Sequence, residues 1–303
     1  MKIKIATRVS PLALLQTHQV IDLIQALDGE YKCEVVPIKS EGDLSDSPLH
    51  LIGGKGLFVS KLEAALSNQE ADIAVHSLKD VPALLAPEFS IAATLTREDC
   101  LDAILLREGL AFDDLQDGHR IATSGPRRKS QLLALYPGLN IVPIRGNIQT
   151  RINKIIDENL DGLVVAKAAL NRLKIKHKNI HIFSENEMLP AASQGAIGIE
   201  TCNATVPSGI SDILTKINCQ ETFRATRVER DIVAALEGSC LSPVSVLGKI
   251  INQALHLRVR VSNQDGSHVI ERDGVFSITE EVTALTQFKE ELIQSGAKEL
   301  IQT

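Results

Sequence analysis

Ala71-Asp72-Ile73-Ala74-Val75-His76-Ser77-Leu78-Lys79-Asp80-Val81-Pro82 is the stretch from which the fold can be read outward. Ile73 to Val75 are apolar and partly β-branched, which predicts a short buried strand. His76, Lys79 and Asp80 follow at once, and Pro82 stops regular structure. A buried strand that ends in titratable residues delivers charge to the carboxyl edge of a sheet, where open α/β folds bind ligands. Alone, a Lys-Asp pair reads more simply as a solvated loop. What decides between the two readings is the set of cations elsewhere in the chain.

Toward the N-terminus, Lys2 to Ala6 alternates as a strand and Ser10-Pro11 supplies a helix N-cap with proline at the first helical position. Leu12, Leu15, Val20, Leu23, Ile24 and Leu27 share one helix face, and Cys33 to Ile38 is the next strand. This βαβ unit puts Arg8 and Ser10 in a strand-to-helix turn, a good anion site. Residues 40–56 form a long polar segment of the lid or disordered kind, ending in Gly53-Gly54-Lys55-Gly56 without Walker spacing. Phe58, Leu62, Ala65 and Leu66 then mark an amphipathic helix leading into the Ile73 strand.

Toward the C-terminus, strands are expected over Phe89–Leu95 and Asp102–Leu106, with Thr96-Arg97-Glu98-Asp99 between them as a domain crossing. A second α/β block follows: strands at Arg120–Thr123, Asn140–Ile144 and Gly162–Ala166, and helices from Ser124-Gly125-Pro126 to Tyr136, through Ile148 to Ile156, and after Ala166. Such β-α alternation means mainly parallel sheet with helices on both faces. The small, glycine-rich run from Leu189 to Ile199 carries the chain back toward the first block. Beyond Asn218 come a helix to Leu236, strand-like runs Val244–Ile251, Ala254–Val261 and His268–Phe276, a hairpin turn at Asn263-Gln264-Asp265-Gly266, and a helix over Glu280–Gln294. That is a separate α+β domain. The expected division is 1–95 with 192–214, then 96–191, then 215–303.

The bulk numbers narrow the function. A chain of 303 residues with 44% hydrophobic and 23% charged content is an ordinary globular protein of two or three domains. Aromatics at 3% disfavour stacking on single-stranded nucleic acid, and a net charge of −6 argues against a general phosphate-backbone binder. No apolar run approaches a membrane span, and the N-terminus lacks the apolar core of a signal peptide. Five scattered cysteines with no C-x-x-C pair point to a reducing cytoplasm rather than to disulfides or a zinc site.

The arginines carry the chemistry. Arg127 and Arg128 sit in the first turn of a helix, against the usual preference for acids there. Arg145 follows one strand, with Gly146 allowing close backbone approach. Arg151 lies in the next helix, and Arg172 on the short helix after the Gly162–Ala166 strand. Arginine forks match carboxylates two bonds at a time. With Arg8, Lys55 and Lys79 they suit a ligand bearing several carboxylates. Asp80 is then a lone carboxylate among cations, fit to neutralise them or to stabilise positive charge developing on a substrate. Cys240 sits in a Gly-Ser-Cys turn rather than on an apolar face, where an exposed thiolate is a nucleophile.

In the segments Ile5-Ala6-Thr7-Arg8-Val9-Ser10-Pro11-Leu12-Ala13-Leu14, Gly54-Lys55-Gly56-Leu57-Phe58, Val75 to Pro82, Arg145-Gly146-Asn147 with Thr150-Arg151, Gln194 to Glu200, and Glu237-Gly238-Ser239-Cys240, the chain resembles the porphobilinogen deaminase (hydroxymethylbilane synthase) family. The resemblance runs from about Lys4 to the C-terminus in order and spacing, and the segments are specific together rather than singly. It implies two α/β lobes like those of periplasmic binding proteins plus a C-terminal α+β domain. It also implies a monomeric cytoplasmic transferase that takes porphobilinogen as its small-molecule substrate and binds neither nucleic acid nor membrane. The implied cofactor is a dipyrromethane joined by thioether to Cys240. Porphobilinogen loses ammonia to give an azafulvene-type cation, the free α-position of the pyrrole chain attacks it, and after four additions the linear tetrapyrrole is released by hydrolysis. Asp80 maps to the catalytic aspartate. Arg8, Arg127, Arg128, Arg145, Arg151 and Arg172 map to residues binding acetate and propionate groups, and Ser10, Lys55, Lys79, Ser124 and Gln194 to the same cleft.

Gly125 departs from the family, which commonly has a second serine there; one lost hydrogen bond costs about 1 kcal/mol. A diverged, less efficient copy is the reading this departure raises. A non-catalytic anion-binding protein would have no use for Cys240 or the third domain. A ligand-sensing regulator would need a DNA-binding segment that the sequence does not show.

Overall fold

The computed structural model describes residues 1–27, 30–39, 59–277 and 281–302. In chain order it contains β1 (Lys2–Arg8), α1 (Pro11–Gln25), β2 (Lys32–Ile38), α2 (Ser60–Ser67), β3 (Ile73–Ser77), a 3₁₀ turn over Leu78–Asp80 and β4 (Phe89–Thr94). Then follow β5 (Asp102–Leu106), β6 (Arg120–Ala122), α3 (Pro126–Leu135), β7 (Asn140–Val142), α4 (Ile148–Asp157), β8 (Gly162–Ala166), α5 (Lys167–Arg172) and β9 (Ile180–Ile182). The chain ends with β10 (Ile197–Cys202), α6 (Ser208–Ile217), α7 (Gln220–Ala235), β11 (Val244–Ile251), β12 (Ala254–Ser262), β13 (Val269–Ser277), α8 (Glu281–Gln294) and α9 (Ala297–Leu300). Among the described residues, no helix is long and apolar enough to cross a membrane.

The chain divides into two compact units, Met1–Glu98 with Gly195–Arg224, and Asp99–Gln194 with Ala225–Thr303. The first holds a sheet of order β2-β1-β3-β10-β4, in which only β10 runs against its neighbours. The second holds a sheet of order β7-β6-β8-β5-β9, in which only β5 does. The two sheets share one topology: a βαβ start, a third parallel strand, then one reversed strand from elsewhere in the chain. The second unit also holds the antiparallel sheet β11-β12-β13.

Alternation places the cores. Ile73 and Val75 of β3 pack with Val20 and Ile24 of α1, whereas Ala74 packs with Leu62 and Leu66 of α2. In the second sheet, Ile104 and Leu106 face one cluster with Phe183, while Ala103 and Leu105 face another with Ile144 and Ile155. Both sheets are covered on both faces, which explains fully apolar strands such as Gly162–Ala166. The small sheet packs with α7 and α8 through Val228, Ile232 and Leu292.

Four elements go beyond the sequence expectations. The return segment 189–199 runs on into a fully buried interior strand, β10. The helices α6 and α9 and the three-residue edge strand β9 are not predicted by the pattern. The start of the arginine helix also differs in detail. Its N-cap is Gly125, without a side-chain cap, while Ser124 is used elsewhere.

Candidate active site

In the first unit, Arg8 closes β1 and Ser10 caps α1, its Oγ accepting the Ala13 N–H at 3.2 Å. β3 ends at Ser77 and passes directly into the Leu78–Asp80 turn. Leu78 is buried, Lys79 half-buried and Asp80 exposed. The turn is pinned at its base: Leu78 N–H donates to Ala196 O at 3.0 Å, and Ser77 Oγ to Gln16 Oε1 of α1 at 2.9 Å. Lys55 lies outside the described residues.

In the second unit, the arginine helix is organised by a residue that the sequence reading took only as the start of a strand. Asp102, first in β5 and wholly buried, accepts from three of the predicted site residues. Arg127 Nη2 lies 2.7 Å from Oδ2, Arg128 Nη2 lies 2.7 Å from Oδ1, and Gln194 Nε2 donates to Oδ1 at 3.0 Å. Arg127 also donates to Leu189 O at 2.8 Å, and Arg128 to Val164 O at 3.3 Å. Burial is the main cause that draws the Arg127 guanidinium below its usual range; Asp102 opposes it and Arg128 adds to it. Two guanidiniums on one carboxylate leave one net positive charge at the start of a helix. That suits an anion in front of it.

The neighbouring strand ends are built with equal economy. Ser124 Oγ donates to Ile144 O at 2.5 Å and accepts from Ile144 N–H at 2.8 Å, clamping the ends of β6 and β7 together. Arg145 follows, half-buried. Gly146 has φ +110°, and a Cβ there would meet Thr150 Cγ2 at 2.9 Å, so glycine is required. Asn147 caps α4 through Thr150 N–H at 2.9 Å, and Arg151 Nε returns to Gly146 O at 2.7 Å. Arg172 sits half-buried in the last turn of α5. Thr123, 4% exposed beside Ser124, has a hydroxyl with no hydrogen-bond partner among the described residues.

Cys240 is exposed on a turn with a defined shape. α7 ends in a Schellman motif: Gly238 N–H donates to Val233 O and Glu237 N–H to Ala234 O, both at 2.9 Å, with Glu237 at φ 54°. Leu241 N–H then donates to Ser239 Oγ at 3.1 Å, and Ser239 N–H to Ser242 Oγ at 3.0 Å. The thiol is therefore presented by a fixed backbone.

The predicted site residues thus fall in two sets. Arg8, Ser10, Lys79 and Asp80 belong to the first unit, and Ser124, Arg127, Arg128, Arg145, Arg151, Arg172, Gln194 and Cys240 to the second. Cations follow strand ends in both sheets, as in two-lobed α/β proteins that bind anions. An exposed cysteine on the turn that leads into a third, small sheet goes beyond what binding needs.

The family model described as porphobilinogen deaminase, dipyrromethane cofactor binding domain, matches residues 3–206. A porphobilinogen deaminase from Alkaliphilus metalliredigens is 37% identical over 302 residues, covering 99% of this chain and 95% of that protein. One from Campylobacter curvus is 38% identical over 303 residues, covering 99% and 96%. One from Campylobacter jejuni (strain RM1221) is 38% identical over 307 residues, covering 100% and 98%. The chain belongs to the porphobilinogen deaminase family. Among solved structures, the methionine binding protein MetQ aligns with a TM-score of 0.46 at 13% identity, covering 74% of this chain and 92% of its own.

Proposed function

We propose that this protein is a cytoplasmic, monomeric transferase that condenses four porphobilinogen molecules, with loss of ammonia at each, into the linear tetrapyrrole hydroxymethylbilane. The primer is a dipyrromethane bound by thioether to Cys240. The reading rests on one observation above the others: in a chain of this family, the cysteine of the Gly-Ser-Cys turn is exposed on a rigid backbone. The orphaned Thr123 hydroxyl and the net positive start of α3 fit the cofactor's polar and carboxylate groups. The second unit divides further, in this reading, into domain 2 (96–191) and domain 3 (215–303), with domain 1 as 1–95 and 192–214; the separate cores of the two sheets support that.

When bound, the dipyrromethane supplies the free pyrrole α-carbon that receives each new ring. The protein's residues do the rest. Arg8, Lys79, Arg145, Arg151 and Arg172 bind and orient acetate and propionate carboxylates, each fork fixing direction as well as charge. Arg127, Arg128 and Gln194, held on Asp102, present a preorganised cationic wall that needs no rearrangement as rings are added. Ser10, Lys55 and Ser124 bind polar groups of the same ligands. Asp80, exposed at the end of its pinned turn, stabilises the positive charge that develops on the incoming pyrrole as ammonia leaves, and accepts a proton afterwards.

Intact mass of the denatured protein, beside Cys240→Ala, tests this. The expected result is an excess of two porphobilinogen units, each less one ammonia, that is absent from the variant. An unmodified mass that neither porphobilinogen nor hydroxymethylbilane raises overturns the reading.

A further inference from the structure

Beneath the turn that carries Asp80 lies a buried pair to which the deaminase reading gives no task. His76 of β3 and Glu200 of β10 lie on the α2 face of the first sheet, where Ala74 and Cys202 pack with Leu62 and Leu66. His76 Nε2 is 2.8 Å from Glu200 Oε2, with side chains 4% and 0% exposed. Neither oxygen of Glu200, nor His76 Nε2, makes a hydrogen bond among the described residues, so the 2.8 Å approach is a close contact without hydrogen-bond alignment. Glu63 of α2 feels the pair: burial first, then the Glu200 charge, push its carboxyl up, while His76 draws it down.

Stability does not explain such a pair. A buried ion pair with a bare oxygen gains little over apolar side chains of the same volume. Its position offers an explanation. Gly198 is opposite His76 in register, and a Cβ there would meet Leu78 Cδ1 at 2.7 Å, so Leu78 seats on bare strand. β10 therefore grips the end of β3 through Glu200 on His76, through Gly198 under Leu78, and through Ala196 O on the Leu78 N–H. The next two residues are Lys79 and Asp80.

We propose that Glu200, acting through His76, is a positioning residue for Asp80: it fixes the end of β3 and so the backbone from which the carboxylate projects. Glu200→Gln keeps the shape of the side chain while replacing the carboxyl group that faces His76 Nε2 by an amide, and so loosens the grip without opening a cavity. The inference rests on the deaminase reading above.

The test is steady-state turnover of porphobilinogen by holoenzyme carrying Glu200→Gln, His76→Asn or both, each checked for cofactor by intact mass and for folding by thermal unfolding. Glu200→Gln is repeated in an Asp80→Glu background. Each single variant is expected to lower kcat about tenfold, with KM within about twofold and the cofactor in place. The double variant should be no worse than the poorer single. In the Asp80→Glu background Glu200→Gln should cost less than about twofold, because a displaced carboxylate has no position left to lose. An unchanged kcat, or the same factor lost in both backgrounds, overturns the inference. So does failure of both single variants to fold, which would make the pair part of the core. A wild-type protein without the cofactor mass sinks the deaminase reading instead, and no variant result can mimic that.

Discussion

Asp102 shows what one buried side chain does for a cationic surface. It brings Arg127, Arg128 and Gln194 to one carboxylate with bonds of 2.7 to 3.0 Å. Asp102→Asn keeps the volume but leaves two guanidiniums buried side by side. The expected loss is about 3–5 kcal/mol of unfolding free energy, read as a lower urea midpoint at unchanged slope. In the sequence, Asp102 is only the polar first residue of an apolar strand, 25 positions before Arg127; nothing local marks it. Gly125, by contrast, was legible as a departure. The structure shows open space around its missing Cβ, so the family's serine fits without displacement.

At the scale of elements, the second sheet is latched by a side chain outside any strand. Asp161 Oδ2 accepts the Arg120 N–H of β6 at 2.8 Å, and Oδ1 accepts Arg107 Nε, just past β5, at 2.7 Å. Burial acts most strongly on this carboxyl and raises it, but the Arg120 N–H, Arg107 and His119 together hold it below the usual range. A folded-state value below the unfolded value of about 3.9 means the unfolded chain binds more protons near that pH. The contribution of Asp161 is complete above about pH 4 and fades as the pH falls through the folded value. Asp161→Asn should lower stability by about 1.5 kcal/mol at neutral pH, with the gap to wild type shrinking below about pH 4 in denaturant titrations. Elements with uninterrupted apolar runs, β3, β5 and β8, were readable directly. β10 was not: its Gly198 and Glu200 break the apolar pattern, and both are explained by the β3 end they contact. β9 escaped notice because a three-residue edge strand carries almost no pattern.

At the scale of the molecule, the second unit joins the arginine helix to the cysteine-bearing sheet through polar bonds. Gln131 of α3 is 4% exposed, and every group of its amide is engaged. Its Nε2 donates to Leu189 O and to Ser245 Oγ of β11, both at 3.1 Å. Its Oε1 accepts Leu189 N–H at 2.8 Å and Arg260 Nη1 of β12 at 2.7 Å. Ser262 Oγ donates to Ser130 Oγ at 2.9 Å, and Gly266 fits because a Cβ would fall 2.0 Å from Ser130 O. A joint of hydrogen bonds, unlike a packed apolar one, sets orientation by bond geometry. Gln131→Leu leaves the Leu189 N–H and the Arg260 guanidinium without this partner. It should cost about 2–3 kcal/mol and speed hydrogen exchange at Leu189 well beyond that at the β5 amides. Equal acceleration at both places would mean global destabilisation and no special joint.

The sequence by itself determined the alternation of strands and helices, the crossing near residues 96–99, the cations at strand ends and the exposed turn at Cys240. These depend on local pattern: side-chain periodicity, capping residues and breakers act over a few positions. Only the tertiary structure decided that Asp102 serves three of the predicted site residues, that Glu200 reaches His76, and that Gln131 joins α3 to the small antiparallel sheet. Those partners lie from 25 to 129 residues apart, and a buried polar group is satisfied by whatever the fold brings within about 3 Å, a distance that carries no trace in the order of the chain.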